Sequence, residues 1–202
     1  MVKFSIYYGD ITKLAVQAIV NPANETGLGC EHGPKHCLDG AIHAAAGPLL
    51  REECKRFGGL PTGVAKISKA YNLPCSHVIH VTGPRNKALG SGLSIAIESC
   101  CDFEMLAQCY VSCLEVAKAN GIKEIAFSCI STGLFGFPKS NSASIAIRTV
   151  KKWLDEHESD VSRIIFCVFS YEDYHIYQNV FQCAHLEDEA TYRKKSVVSV
   201  EW

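Results

Sequence analysis

Along this chain the apolar residues switch repeatedly between spacing by two and spacing by 3.6, and that alternation limits the fold more than any single motif does. Lys3 to Tyr8 alternates and then meets the turn Gly9-Asp10. Ala18 to Val20 is a short run of the kind buried on both faces. Leu38 to Ala46 has helical spacing, Gly47-Pro48 punctuates it, and Leu49 to Phe57 resumes. After a Gly/Pro loop, strands are expected around Ala65 to Ser68 and from His77 to Val81, where Gly83-Pro84 stops the run. Leu93 to Asn120 holds neither glycine nor proline; Leu106, Tyr110, Cys113, Leu114 and Ala117 share one face, and Gly121 supplies a C-terminal stop. A strand from Glu124 to Ile130, a helix from Asn141 to His157, a strand from Arg163 to Ser170 and a helix from Asp173 to Cys183 complete the pattern. The spacing predicts an α/β fold, a three-layer α/β/α sandwich around a mixed, largely parallel sheet, with ligands at the carboxyl ends of the strands.

A chain of 202 residues is long enough for one substantial core. One domain is expected over residues 1–184, with a charged C-terminal extension at 185–202. No apolar run approaches the roughly 20 residues of a membrane helix, so no membrane association is expected. The opening MVKFSIYYGDI reads as a strand and not as a signal peptide, which favours a cytoplasmic, intracellular protein. Eleven cysteines, an odd number, read as reduced thiols. Cys100, Cys101, Cys109, Cys113, Cys129 and Cys167 lie in apolar segments and are expected to pack as small buried hydrophobes. A net charge of −1 without a basic cluster disfavours sequence-specific nucleic acid, while a small phosphate ligand held by backbone amides remains compatible with it. A monomer is expected.

Three loops after strands hold residues that can do chemistry. In GDIT, Asp10 is a turn residue that can also accept from a ligand amine. In STGLFGFP, Ser131 and Thr132 bring hydroxyls, Gly133 and Gly136 permit close backbone approach, and the next helix adds N-terminal amides. These are the components of a diphosphate cradle, although neither GxxxxGK[ST] nor GxGxxG is present. Phe135, a large aromatic between glycines, suits stacking on a sugar or base.

The third loop runs through NPAN, with Asn21 and Asn24 at its ends, into GLGCEHGPKHCLDGAIH. Cys30 and Cys37 are seven apart with His32 and His36 between them, a donor set zinc prefers, but the spacing is not that of a finger or ribbon. From the residues alone, this loop is a metal site, an anion-cradling loop at a helix start or a polar turn. His43 reads as a packing or hydrogen-bonding residue.

Taken in order, GDIT, AIVNPAN, DGAIHAAAGPLLREEC, TGVAKISKAYNLPCSHVIHVTGP and ISTGLFGFP resemble the macrodomains, ADP-ribose-binding α/β/α modules, over about residues 2 to 183. The Cys/His stretch, where many hydrolytic members carry polyglycine, together with SKAYNLP, resembles the zinc-dependent macrodomain ADP-ribosylhydrolases of microbes. That resemblance implies a zinc-dependent mono-ADP-ribosyl hydrolase whose partners are ADP-ribose and mono-ADP-ribosylated proteins. A non-catalytic ADP-ribose reader with a structural zinc and an O-acetyl-ADP-ribose deacetylase are the rivals. Carried over by position, Asp10 accepts the adenine amine with Ile11 beside it, and Asn24 sits near the distal ribose. Ser131, Thr132, Gly133, Leu134, Phe135 and Gly136 wrap the diphosphate, with Phe135 against the distal ribose. Asn24 and Asp39 are the implied catalytic residues. Cys30, His36 and Cys37 are the implied zinc ligands, with His32 the rival imidazole because His36 directly adjoins Cys37.

Overall fold

The structure, a computed structural model, describes residues 2–30, 37–87 and 101–184. Its elements are β1 (Lys3–Tyr8), β2 (Ala18–Ala23), α1 (Leu38–Ala46), α2 (Pro48–Cys54), β3 (Ala65–Lys69), β4 (His77–Thr82), α3 (Phe103–Ala119), β5 (Glu124–Phe127), α4 (Lys139–Glu156), β6 (Arg163–Val168) and α5 (Tyr171–Cys183). The strands form one sheet in the order β1-β6-β5-β2-β4-β3, parallel throughout except where β3 joins β4. The expected mixed, largely parallel sandwich is the one observed.

Both faces of the sheet are buried. Ala18 and Val20 of β2 enter a core shared with α3, α4 and α5, while Ile19 between them enters a second core under α1 and α2. A strand covered on both sides needs apolar residues at every position, which is why β2 reads as a continuous run.

Several boundaries moved, each for a local reason. β2 continues through Asn21 and Pro22, which sequence reading placed in a turn. β5 registers with Ala18 and Ile19 of β2, so its ladder ends before Pro22 and the missing amide hydrogen breaks no bond on that side. β5 itself stops at Phe127; Ile130 remains fully buried in the core, so the apolar run outlasts the strand. The segment after Gly47 divides into α2 and a 3₁₀ turn, Lys55–Phe57, ended by Gly58 in the left-handed region. α3 starts at Phe103 because the Asp102 side chain accepts from the Met105 amide as its N-cap. The expected start of that helix at 93–100, the C-terminal extension at 185–202, and His32 and His36 lie outside the described residues.

β2 and β5 are neighbours, but α1 after β2 packs against one face and α4 after β5 against the other. Adjacent strands whose connections leave to opposite faces open a crevice at their carboxyl ends.

Candidate functional site

At those carboxyl ends lies a cleft of about 300 Å³. Asn24 closes β2 over it, Cys30, Cys37, Leu38 and Asp39 lead into α1 beside it, and Ser131 to Phe135 follow β5 along the opposite wall. Residues more than a hundred positions apart in sequence thus meet because their strands are adjacent. Asp10, Ile11 and Gly136 are not among the lining residues. Asp10 accepts from the Thr12 amide at 2.9 Å and its hydroxyl at 2.7 Å, capping the turn Ile11–Lys13, and Ile11 is buried in the second core. Asp10 nevertheless stands close to the cleft floor, because Cys167, which lines it, donates to the Gly9 carbonyl at 3.4 Å.

Asn24 spends its carboxamide on its own turn. Its oxygen accepts from the Thr26 amide and hydroxyl and from the Gly27 amide, and its nitrogen donates to the Gly29 carbonyl. The residue shapes the approach to Cys30 as much as it lines the cleft.

Asp39 opens α1, where the helix dipole favours a carboxylate, yet only 3 % of it is exposed. Its Oδ1 accepts from Asn21 Nδ2 at 2.7 Å and stands 3.5 Å from His43 Nε2, while Oδ2 is buried without a partner. Burial raises its pKa to about 6, and the bond from Asn21 opposes the shift only in part. Cys37 caps α1, accepting from the Gly40 amide at 3.3 Å, and its thiol hydrogen-bonds that of Cys30. Burial first, then the Cys30 bond, raises the Cys37 thiol to about 12. The Cys37 thiol therefore holds its proton at neutral pH unless a cation offsets the cost.

The β5 loop is strained where it turns. Ser131 adopts φ +66, rare for a residue with a side chain, and its buried hydroxyl has no partner. The Phe137 amide closes the turn onto the Ser131 carbonyl and the Gly136 amide onto Gly133. The Arg85 guanidinium lies 4.1 Å from the Phe135 ring centre and pairs with Glu25 at 3.5 Å, covering one face of that ring. Asn86 ties the same segment down, its amide to the Phe135 carbonyl and its side chain to Gly136.

Gly83, Cys129, Cys167, Phe169 and Asp173 line the cleft but do not read from the sequence as site residues. Phe169, 55 % exposed, and Asp173 follow β6, and the rule that function gathers after parallel strands would have flagged that loop too. The cysteine expectation holds for Cys109, Cys113 and Cys167. Cys101 and Cys129 are only half-buried, Cys101 because it precedes α3 and Cys129 because it leaves β5 at the cleft wall; Cys100 lies outside the described residues.

His80, fully buried, and His43, partly buried, make the fold sensitive to acid. Burial, with Arg51 second, lowers His43 to about 4; burial, with His43 second, lowers His80 to about 3. A base depressed on folding stabilises fully above its unfolded pKa near 6.5 and loses that contribution as pH falls toward the folded value. At pH 5 the loss is about 2 kcal/mol for His80 and less for the partly solvated His43. Asp39 acts in the opposite sense by only about 1 kcal/mol. The melting temperature is therefore expected to fall between pH 7 and pH 5, and an unchanged melt across that range would contradict neutral burial of the histidines.

The family model described as Macro domain matches residues 20–146. The human protein named ADP-ribose glycohydrolase MACROD2 is 46% identical over 176 residues, 87% of this chain and 38% of that protein. The Staphylococcus aureus protein named protein-ADP-ribose hydrolase is 40% identical over 181 residues, 87% of this chain and 65% of that one. The chain thus spans between about a third and two thirds of the length of such relatives. The crystal structure of a Trypanosoma brucei macrodomain in complex with ADP-ribose superposes with a TM-score of 0.76 at 35% identity, covering 90% of this chain and 69% of that one.

Proposed function

The chain belongs to the Macro domain family, and on that premise we propose that it is a zinc-dependent mono-ADP-ribosyl hydrolase, acting as a monomer in the cytoplasm to release ADP-ribose from modified protein side chains. The observation that carries this reading is the unpartnered, buried Oδ2 of Asp39 in a cleft that also holds Asn24, the thiols of Cys30 and Cys37 and the Ser131–Phe135 wall. Among the described residues no cysteine is in a disulfide, which suits a reducing compartment.

Asp10 accepts the adenine amine, with Ile11 beside it and Phe169 offering a ring for stacking. Amides of the 131–136 loop turn toward the diphosphate, and the face of Phe135 away from Arg85 packs on the distal ribose. Asn24 fixes the turn under that ribose. Ionised Asp39 accepts at Oδ2 from the attacking water and takes up its proton as the water oxygen bonds to the anomeric carbon, the side-chain oxygen departing with the electron pair of the broken bond. Cys30 and Cys37 fit zinc by donor type and mutual contact, and His36, or else His32, completes the set. When bound, zinc supplies Lewis-acid polarisation of a ribose oxygen or of water.

Incubation with a mono-ADP-ribosylated protein tests the activity, with release of ADP-ribose as the expected result. ADP-ribose binding without release would establish the rival reader, which draws support from the engagement of Asn24 in its own turn. Release only from O-acetyl-ADP-ribose would move the activity to the deacetylase. Metal analysis is expected to find one zinc per chain, lost in Cys37→Ala, and chelation is expected to stop turnover while ADP-ribose still binds. Zinc absent, or unaffected by that substitution, would remove the metal from the reading.

A further inference from the structure

Behind Asp39 a chain of buried polar side chains runs into the sheet. Asn21 and His80 face each other in register on β2 and β4, both fully buried, and Ser68 on β3 is 3 % exposed. Asn21 Nδ2 lies 2.7 Å from Asp39 Oδ1 and 3.1 Å from His80 Nδ1. His80 Nε2 lies 2.8 Å from Ser68 Oγ, whose hydroxyl donates to the Lys69 carbonyl at 3.1 Å.

Counting protons fixes the direction of every bond. The amide nitrogen of Asn21 carries two hydrogens and has two neighbours at bonding distance, so one goes to Asp39 and the other to His80. His80 Nδ1 is then an acceptor, its proton resides on Nε2, and Nε2 donates to Ser68, whose own hydrogen is spent on Lys69. Reversing the Asn21 amide would set two oxygens against each other at the Asp39 contact. We propose that Asn21 and His80 are positioning residues that hold Asp39 Oδ1 as a fixed acceptor and leave Oδ2 as the carboxylate atom that meets the attacking water and takes its proton.

This inference rests on the hydrolase reading for the role of Asp39. Burial that lowers the pKa of His80 keeps the ring neutral, as an acceptor at Nδ1 requires. His43, Cys54 and His80 also bring donor atoms within 4.8 Å of one another, a candidate metal cluster. Its His80 ligand would have to be Nε2, 3.7 Å from the Cys54 sulfur, and that nitrogen carries the proton in the bond to Ser68. The proton count favours the relay over a metal.

Nitrogen-15 NMR of histidine-labelled protein at neutral pH reads the relay directly: His80 is expected as the Nε2–H tautomer with Nδ1 unprotonated. His80→Leu, which strands an Asn21 hydrogen, is expected to lower kcat about tenfold or more, as small misplacements of a catalytic group do, with KM and ADP-ribose affinity within about threefold. His80→Gln, which can again accept from Asn21, should recover most of the loss. If His80→Leu does not fold, Ser68→Ala serves instead, with a smaller fall in kcat and a mixed His80 tautomer. An Nδ1–H tautomer in the unaltered protein, parallel losses in kcat and affinity, or zinc whose stoichiometry drops in His80→Gln would overturn the proposal. If the unaltered chain shows no turnover, the hydrolase reading falls with the positioning role, while the tautomer still shows whether the relay exists.

Discussion

Asp39→Asn is expected to lower turnover by about two to three orders of magnitude, the usual cost of losing a general base, while leaving ADP-ribose binding nearly unchanged. The same substitution is expected to stabilise the fold at pH 7 and above. An acid whose pKa rises on folding, here from 3.8 to about 6, gives its full stability below the unfolded value and loses it as pH climbs through the folded one. Above pH 7 the native state therefore carries a buried carboxylate at a cost of at most about 3 kcal/mol. An amide of the same shape avoids that cost, accepts from Asn21 through its oxygen and turns its nitrogen toward the cleft. A gain of about 1–3 kcal/mol corresponds to several degrees in melting temperature for a chain of this size, and it should vanish below about pH 4. Thermal melts at pH 4 and pH 8, paired with a release assay, check both halves. Stability lost at pH 8 would mean that Asp39 is held by a charge partner rather than penalised by burial.

That trade explains why part of the site was legible in sequence and part was not. Asn24, Cys30, Cys37, Asp39 and Ser131 to Phe135 stand out as polar or glycine-bearing loops after apolar runs, and the sheet order brings them to one cleft. Asn21 reads as the start of the NPAN turn and His80 as one residue of a strand flanked by core positions, so spacing offers no reason to pair them; only the β2–β4 register does. A lone polar residue in an otherwise apolar strand was the available signal, since burying it demands a partner. Asp10 and Ile11 were readable as a turn but not as a place, because the distance of a short loop from a cleft depends on β6, whose Cys167 side chain lies between them. The fold itself was the easiest part: a strand buried on both faces has few ways to hide its pattern.

The largest structural effect is expected from one methyl group at Gly83. A Cβ there would fall 2.2 Å from Ser131 Oγ and 2.7 Å from Ile130 Cγ2, distances real carbon atoms do not reach. Ile130 is fully buried in the main core and has little room to yield, so the displacement passes to Ser131. That residue is already strained at φ +66 and forms part of the cleft wall. Gly83→Ala is therefore expected to cost about 1–3 kcal/mol of stability through overpacking. It should also weaken ADP-ribose binding by about a hundredfold, or roughly 3 kcal/mol, by pushing the loop into the space the ligand needs. Gly133→Ala separates the two effects. Its added carbon meets nothing within 4 Å, so its melting temperature should match that of the unaltered chain. If that variant also loses affinity, the open space beside Gly133 is where the diphosphate approaches the backbone; if only Gly83→Ala does, the shape of the Ser131 turn sets the affinity. Calorimetry with ADP-ribose on both variants distinguishes these outcomes, and full affinity in Gly83→Ala would show that the loop can retreat without narrowing the cleft.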